Sequence, residues 1–255
     1  MPYEWSDDAG SSPTAAGSVV VSSFPSAGLA ATVAAHYIVQ ALALPRVGTF
    51  ASPEVPPIAV VQAGRVNPAI RVYGRPGLSV VLSEFPPLPS STRGLAEAIL
   101  RGAEARRARI VIGLEGVMPH PAEPDPNEKA EESVWAVVAK SDPGLTDRFE
   151  RAGAHALRDG VLGGVSGALL VGGSVREVPV AVLLVSSKVN EGYPDHRAGA
   201  ALIEVLDRFL PELSIDTKPL RTQAALIERS LRAAMKQGER GARTLPDPSE
   251  PTIYQ

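Results

Sequence analysis

The sequence predicts an α/β sandwich built on a largely buried sheet, and three observations carry that prediction. Short β-branched runs alternate with helical patterns along the chain, the order of elements that places helices on the faces of a sheet. Several of those runs are apolar without interruption, as strands covered on both faces are. At 255 residues, with 44% hydrophobic and 21% charged residues, the chain is long for one domain yet within range for a single α/β unit.

Residues 1–17 mix Ser, Asp, Gly and Pro without a period and read as a disordered lead, with Tyr3 and Trp5 its only adhesive side chains. The folded domain is expected over residues 18–240. Residues 18–23 (Ser-Val-Val-Val-Ser-Ser) form a buried strand. Pro25 ends it, and Ser26 is placed to cap a helix reaching about Leu44, apolar nearly all round and stopped by Pro45. Residues 58–62 and 70–73 are short strand candidates among turn formers, and 78–82 is a firmer one closed by Pro86 and Pro87. Ser91 or Thr92 caps a helix to about Arg107, after which 109–114 returns as a strand. Residues 117–132 hold Pro119, Pro121, Pro124 and Pro126 among acidic residues and predict an exposed acidic loop.

A strand over 134–139 and a helix over 145–159 follow, then a glycine-rich passage at 160–173 and a strand over 178–185. Leu202, Val205, Leu206 and Phe209 fall at i, i+3, i+4 and i+7 and mark a helix that Asp195 caps. A last helix from about Thr217 sets Leu220, Ala224, Ile227, Leu231 and Met235 on one stripe and frays at Gly238.

A net charge of −3 gives no electrostatic footprint for nucleic acid or an anionic membrane. The absence of cysteine excludes disulfides, thiolate metal sites and a cysteine nucleophile. The start of the chain has no basic and apolar leader, and no apolar run approaches a bilayer span. The expectation is a soluble, cytoplasmic protein.

The chemistry-bearing motifs are modest. The glycine passage lacks the Lys-Ser/Thr pair of a phosphate-binding loop, so its glycines read as tight turns and places of close backbone approach. Gly164-Val165-Ser166-Gly167-Ala168 approaches a nucleophile elbow, with alanine where the last glycine belongs. A hydrolase would further need His155 or His196 and an acid beside Ser166. Ser22, Ser23, Ser26 and Gly28 surround a helix start that would favour an anion, and Arg71 or Arg93 could clamp a phosphate. Ser26 as a plain cap explains the same residues. His36, His120, His155 and His196 have no metal-site spacing, so no metal and no cofactor are expected. Arg101, Arg106, Arg107 and Arg109 complement a helix dipole and read as a solvated face.

Residues 241–255, rich in proline and polar residues, read as a flexible tail that reaches roughly 45–50 Å when extended, at about 3.3 Å per residue. Its tip is Ile253-Tyr254-Gln255. An aliphatic residue, a phenol and a terminal carboxylate together suit insertion into a partner's pocket.

Phe24-Pro25-Ser26-Ala27-Gly28-Leu29, Pro53-Glu54-Val55-Pro56-Pro57, Arg71-Val72-Tyr73, Ser83-Glu84-Phe85-Pro86, the 160–170 glycine passage and Tyr193-Pro194-Asp195 stand in order over about residues 18–237. In these the sequence resembles the proteasome assembly chaperone family, in its archaeal branch. The resemblance implies a three-layer α/β/α sandwich of the nucleoside-phosphorylase type, no catalysis, and a homo-oligomer, a tetramer being favoured. It further implies that Ile253, Tyr254 and Gln255 dock into pockets of the proteasome core α-ring, with the Gln255 carboxylate facing a lysine. The alternative is an enzyme of that fold acting on a nucleoside or phosphorylated small molecule near Ser26.

Overall fold

The computed structural model describes residues 3–8, 17–55, 57–62, 64–118, 133–140, 142–187, 193–227 and 229. The chain opens with β1 (Glu4–Asp7) and β2 (Val19–Ser23), a 3-10 turn at Ala27–Leu29, and helix α1 (Ala30–Ala41). Next come β3 (Arg46–Ala51), a hairpin of β4 (Ala59–Gln62) and β5 (Arg65–Pro68), then β6 (Arg71–Arg75) and β7 (Leu78–Leu82). Helix α2 (Thr92–Ala105) leads to β8 (Ile110–Val117) and β9 (Val134–Val138). After these lie α3 (Pro143–Arg151), the two-residue β10 (His155–Ala156), α4 (Gly164–Ser174), β11 (Val180–Ser186) and α5 (His196–Phe209). Residues 218–227 are helical as well.

Nine of these strands join one mixed sheet in the order β1-β3-β6-β7-β2-β8-β11-β9-β10. Its centre, β7-β2-β8-β11, is parallel, with Val21 opposite both Val80 and Ile112. Strand alternation sorts the side chains into two cores. Val19, Val21, Leu82, Ile112 and Leu183 face α1 and α5, whereas Val20, Val81 and Val111 face α2 and α4. Covering both faces explains why the central strands read as unbroken apolar runs, and it yields the three-layer α/β/α sandwich.

Most expected elements fall where the sequence places them, and the differences have physical causes. The lead assigned to disorder contains β1, which pairs antiparallel with β3. Two aromatics hold it there. Tyr3 is buried, and Trp5 lies 5.2 Å from the Phe50 ring with the Arg106 guanidinium 4.2 Å from its centroid. A Cβ at Gly102 would come within 2.2 Å of the indole, so α2 offers a glycine where Trp5 seats. The basic end of α2 is therefore not merely a solvated face: Arg106 pairs with Asp7 at 2.6 Å, and Arg101 donates to the Tyr3 carbonyl.

The helix expected over 145–159 ends at Arg151. Gly153 takes φ +93°, its N–H bonds the Glu150 carbonyl, and Ala154 N–H bonds that of Phe149, which is a Schellman closure. Within the glycine passage, residues 164–174 form α4 rather than turns. Close approach is the reason for its glycines. At Gly173 a Cβ would stand 2.4 Å from Val180 Cγ2, and at Gly172 2.6 Å from Leu100 Cδ1. Ser26 precedes the 3-10 turn without capping it.

Asp195 caps α5 as expected, its Oδ1 accepting from Ala198 N–H at 2.9 Å. The C-terminal helix is anchored to α1 and α5. Arg221 pairs with Glu204 at 2.6 Å, Tyr37 donates to the Asp216 carbonyl, and Leu220 and Ala224 are buried. Of the acidic loop expected at 117–132, Val117 belongs to β8 and residues 119–132 lie outside the described residues, as do Leu231, Met235 and the tail expected at 241–255.

Candidate functional site

In a sheet of this kind the place for chemistry is the crevice at the carboxyl ends of adjacent strands whose connections leave in opposite directions. Here those strands are β2 and β8: the chain runs from β2 towards β7 on one side and from β8 towards β11 on the other. The residues after β2 cross that crevice and fill it. Gly116 N–H donates to Ser26 Oγ at 2.8 Å, and a Cβ at Gly116 would stand 2.3 Å from the Ala27 carbonyl oxygen. Only glycine lets the turn come so near. Gly28 and Leu29 both take left-handed φ, 58° and 54°, to complete it.

The residues nominated for phosphate binding, Arg93 apart, are engaged in the fold. Ser22 and Ser23 are buried strand residues, and Arg93 is exposed on α2. Arg71 is fully buried, and its guanidinium is spoken for. Nε donates to Tyr73 Oη at 3.1 Å, Nη1 to the Pro68 carbonyl at 3.0 Å, and Nη2 to Glu84. Glu84 Oε1 also lies 2.9 Å from His36 Nε2. Burial pushes the Glu84 carboxyl up, but hydrogen bonds from His36 and Arg71 and the Arg71 charge outweigh it and bring the carboxyl down to about 2. The sequence offered Arg71 as a candidate but gave no sign of this chain, because its partners lie on α1 and beyond β7.

Ser166 lies on the first turn of α4, not on a strand-to-helix elbow, and donates to Glu115 Oε2 at 2.6 Å. Burial raises the Glu115 carboxyl, against that hydrogen bond. Neither His155 nor His196 completes a triad with it: His155 sits on β10 with its ring 6.5 Å from Trp135, and His196 Nδ1 is 2.9 Å from the Pro194 carbonyl. Among the described residues no group of three His, Asp or Glu side chains could hold a metal ion. None of the described helices is long and apolar enough to cross a membrane. Ile253, Tyr254 and Gln255, the residues expected to dock, lie outside the described residues.

The comparisons with known proteins agree with this architecture. PbaA of Pyrococcus furiosus, an archaeal homolog of proteasome-assembly chaperone, superposes with a TM-score of 0.80 at 25% identity, over 95% of this chain and 95% of that one. PbaB of the same organism, an archaeal proteasome activator, gives 0.73 at 19% identity over 91% of this chain and 99% of its own, a likeness of fold. An uncharacterized protein of Methanocaldococcus jannaschii, MJ0106, is 25% identical over 219 residues, 86% of each chain. The sequence pattern that defines the PAC2 family matches residues 20–235, and the chain belongs to that family.

Proposed function

We propose that this chain is an ATP-independent proteasome-binding protein, an activator or an assembly chaperone, that inserts Ile253, Tyr254 and Gln255 into pockets of the core-particle α-ring. Two observations support the reading: the body superposes on PbaA over 95% of both chains with a TM-score of 0.80, and the sequence carries the hydrophobic-tyrosine pattern at Ile253-Tyr254-Gln255. The activator described for PbaB, a relative by fold, is consistent with it.

In this reading the sandwich is a rigid mount. Its helix at 218–227 is fixed by the Arg221–Glu204 pair and by buried Leu220. Ile253 fills an apolar cleft, the Tyr254 ring packs and its hydroxyl forms one hydrogen bond, and the Gln255 carboxylate faces a lysine. Each such contact is weak. A homo-oligomer, a tetramer in the favoured case, presents several tails at once and gains avidity by roughly 10²–10⁴-fold through effective concentration.

The test is binding of the full chain to purified archaeal core particle by surface plasmon resonance. Tyr254→Ala is expected to weaken binding at least about tenfold, a loss of about 1.4 kcal/mol per contact that avidity multiplies. Removal of residues 253–255 should abolish it. Equal binding by all three proteins ends the proposal. Hydrolysis of a fluorogenic peptide by the core particle separates the two roles, since an activator accelerates it and an assembly chaperone does not.

A further inference from the structure

A cavity of about 360 Å³ opens on the α1 face between α1, the segment after β7 and the helix at 218–227. Its size falls in the range of small-molecule sites, on the order of 300–1,000 Å³. Leu29, Val33, Pro194 and Leu220 give it apolar walls, and Thr32 and Glu84 stand among its polar ones with His36, Tyr37, Gln40, His196 and Gln223. The left-handed backbone at Leu29, φ 54°, is an uncommon state for a branched residue, and it leaves that side chain 41% exposed at the cavity.

The polar wall is incompletely used. Glu84 Oε1 meets both Arg71 and His36, while Glu84 Oε2 is buried without a hydrogen-bond partner. Thr32 Oγ1 is buried without one too. A carboxylate that engages one oxygen of two forgoes a charge-assisted hydrogen bond, the stronger kind. Its last torsion is broad and soft, and the Glu84 side chain is 29% exposed, so a small turn presents Oε2 to the cavity. Arg71 already balances the Glu84 charge, and Arg221 and Glu204 balance each other nearby. What Glu84 Oε2 lacks is therefore a donor rather than a counter-charge.

We propose that this cavity binds a small molecule that presents an N–H donor on an apolar body, the donor meeting Glu84 and Thr32 and the body lying against Leu29, Val33 and Leu220. A protonated amine and a neutral amide both carry that chemistry. The proposal is independent of tail docking, and no variant used to test it touches residues 241–255.

The test titrates the ¹⁵N-labelled full chain with benzylamine, benzamide and benzoate and follows the backbone amides of Thr32, Val33, His36 and Glu84 by NMR. Saturable shifts with benzylamine, benzamide or both, and none with benzoate, are expected at millimolar concentration. Benzylamine alone identifies a charged amine as the ligand class, and benzamide an uncharged one. Gln223→Trp, at an exposed rim position, should block the mouth without disturbing the core and weaken binding at least about tenfold. Thr32→Val, nearly the same size, should weaken it severalfold. Benzoate shifts equal to those of the donors, no shift with either donor, or binding unmoved by Gln223→Trp overturns the proposal.

Discussion

Replacing Glu84 with glutamine tests the polar chain that ties α1 to the sheet. The substitution keeps the shape and removes the charge that balances Arg71, which is fully buried. Two routes give the cost. The Glu84 carboxyl lies at about 2 in the folded protein against an ordinary value of 4.5, and at about 1.4 kcal/mol per pKa unit that difference contributes about 3 kcal/mol. Removing one partner of a buried ion pair costs about 3–5 kcal/mol, and the partial exposure of Glu84 favours the lower end. Glu84→Gln is therefore expected to lose about 3 kcal/mol at neutral pH, or about 6–12 °C in Tm for a chain of this size. Because the folded value is depressed, the wild-type advantage is full above the unfolded value of 4.5 and is lost as pH falls through about 2. Urea unfolding across that range, with unchanged m-values as the control, reads it directly. Adding Arg71→Met to Glu84→Gln should recover part of the loss, since the stranded guanidinium is then gone. A gap below about 1 kcal/mol at neutral pH, or one that does not narrow between pH about 4.5 and 2, would refute the reasoning.

Three further outcomes follow from the packing. Gly173→Ala should cost about 1–3 kcal/mol by thermal unfolding, since its Cβ would stand 2.4 Å from Val180 and that clash exceeds the helix-propensity gain of about 1 kcal/mol. Asp195→Ala removes the α5 cap and the acceptor of Ser187 Oγ, and urea midpoints should show a loss of about 1–2 kcal/mol. Trp5→Ala strips β1 of its contacts with Phe50 and Arg106, so amide exchange should quicken along the β1–β3 ladder while β2 and β8 keep their protection.

What was legible in the sequence tracks how far each signal reaches. The central strands and α5 were readable because burial writes a local pattern into the chain, an unbroken apolar run at Val19 to Val21 and a helical period at Leu202 to Phe209. The Schellman glycine at 153 carried a usable stop signal that the helical period on either side masked. Strand β1 was not readable. Its sequence, Glu4-Trp5-Ser6-Asp7, becomes a strand only because Phe50, Gly102 and Arg106, distant in the chain, make a seat for one indole. Helix α4 hid for the opposite reason: its glycines depress local helix propensity by about 1 kcal/mol each, and the contacts that favour them belong to α2 and β11. For the candidate sites, Arg71 was visible as a residue but not as a member of a chain through Glu84 to His36, since no spacing rule links α1 to the end of β7.

The crevice between β2 and β8 bears on where this member of the PAC2 family can act. A covered parallel sheet leaves its strand ends as the natural cradle for a ligand, with backbone N–H groups to offer. In this chain one such group, Gly116 N–H, is satisfied by Ser26 Oγ, and the Ala27 carbonyl occupies the space a side chain at 116 would need. The same turn that closes the crevice sets Leu29 in its left-handed conformation, and Leu29 then forms a wall of the cavity on the α1 face. Closing one pocket and shaping the other are thus a single structural event. The open cavity also borders Leu220 and Gln223 on the helix at 218–227, so its walls come from both ends of the domain's sequence.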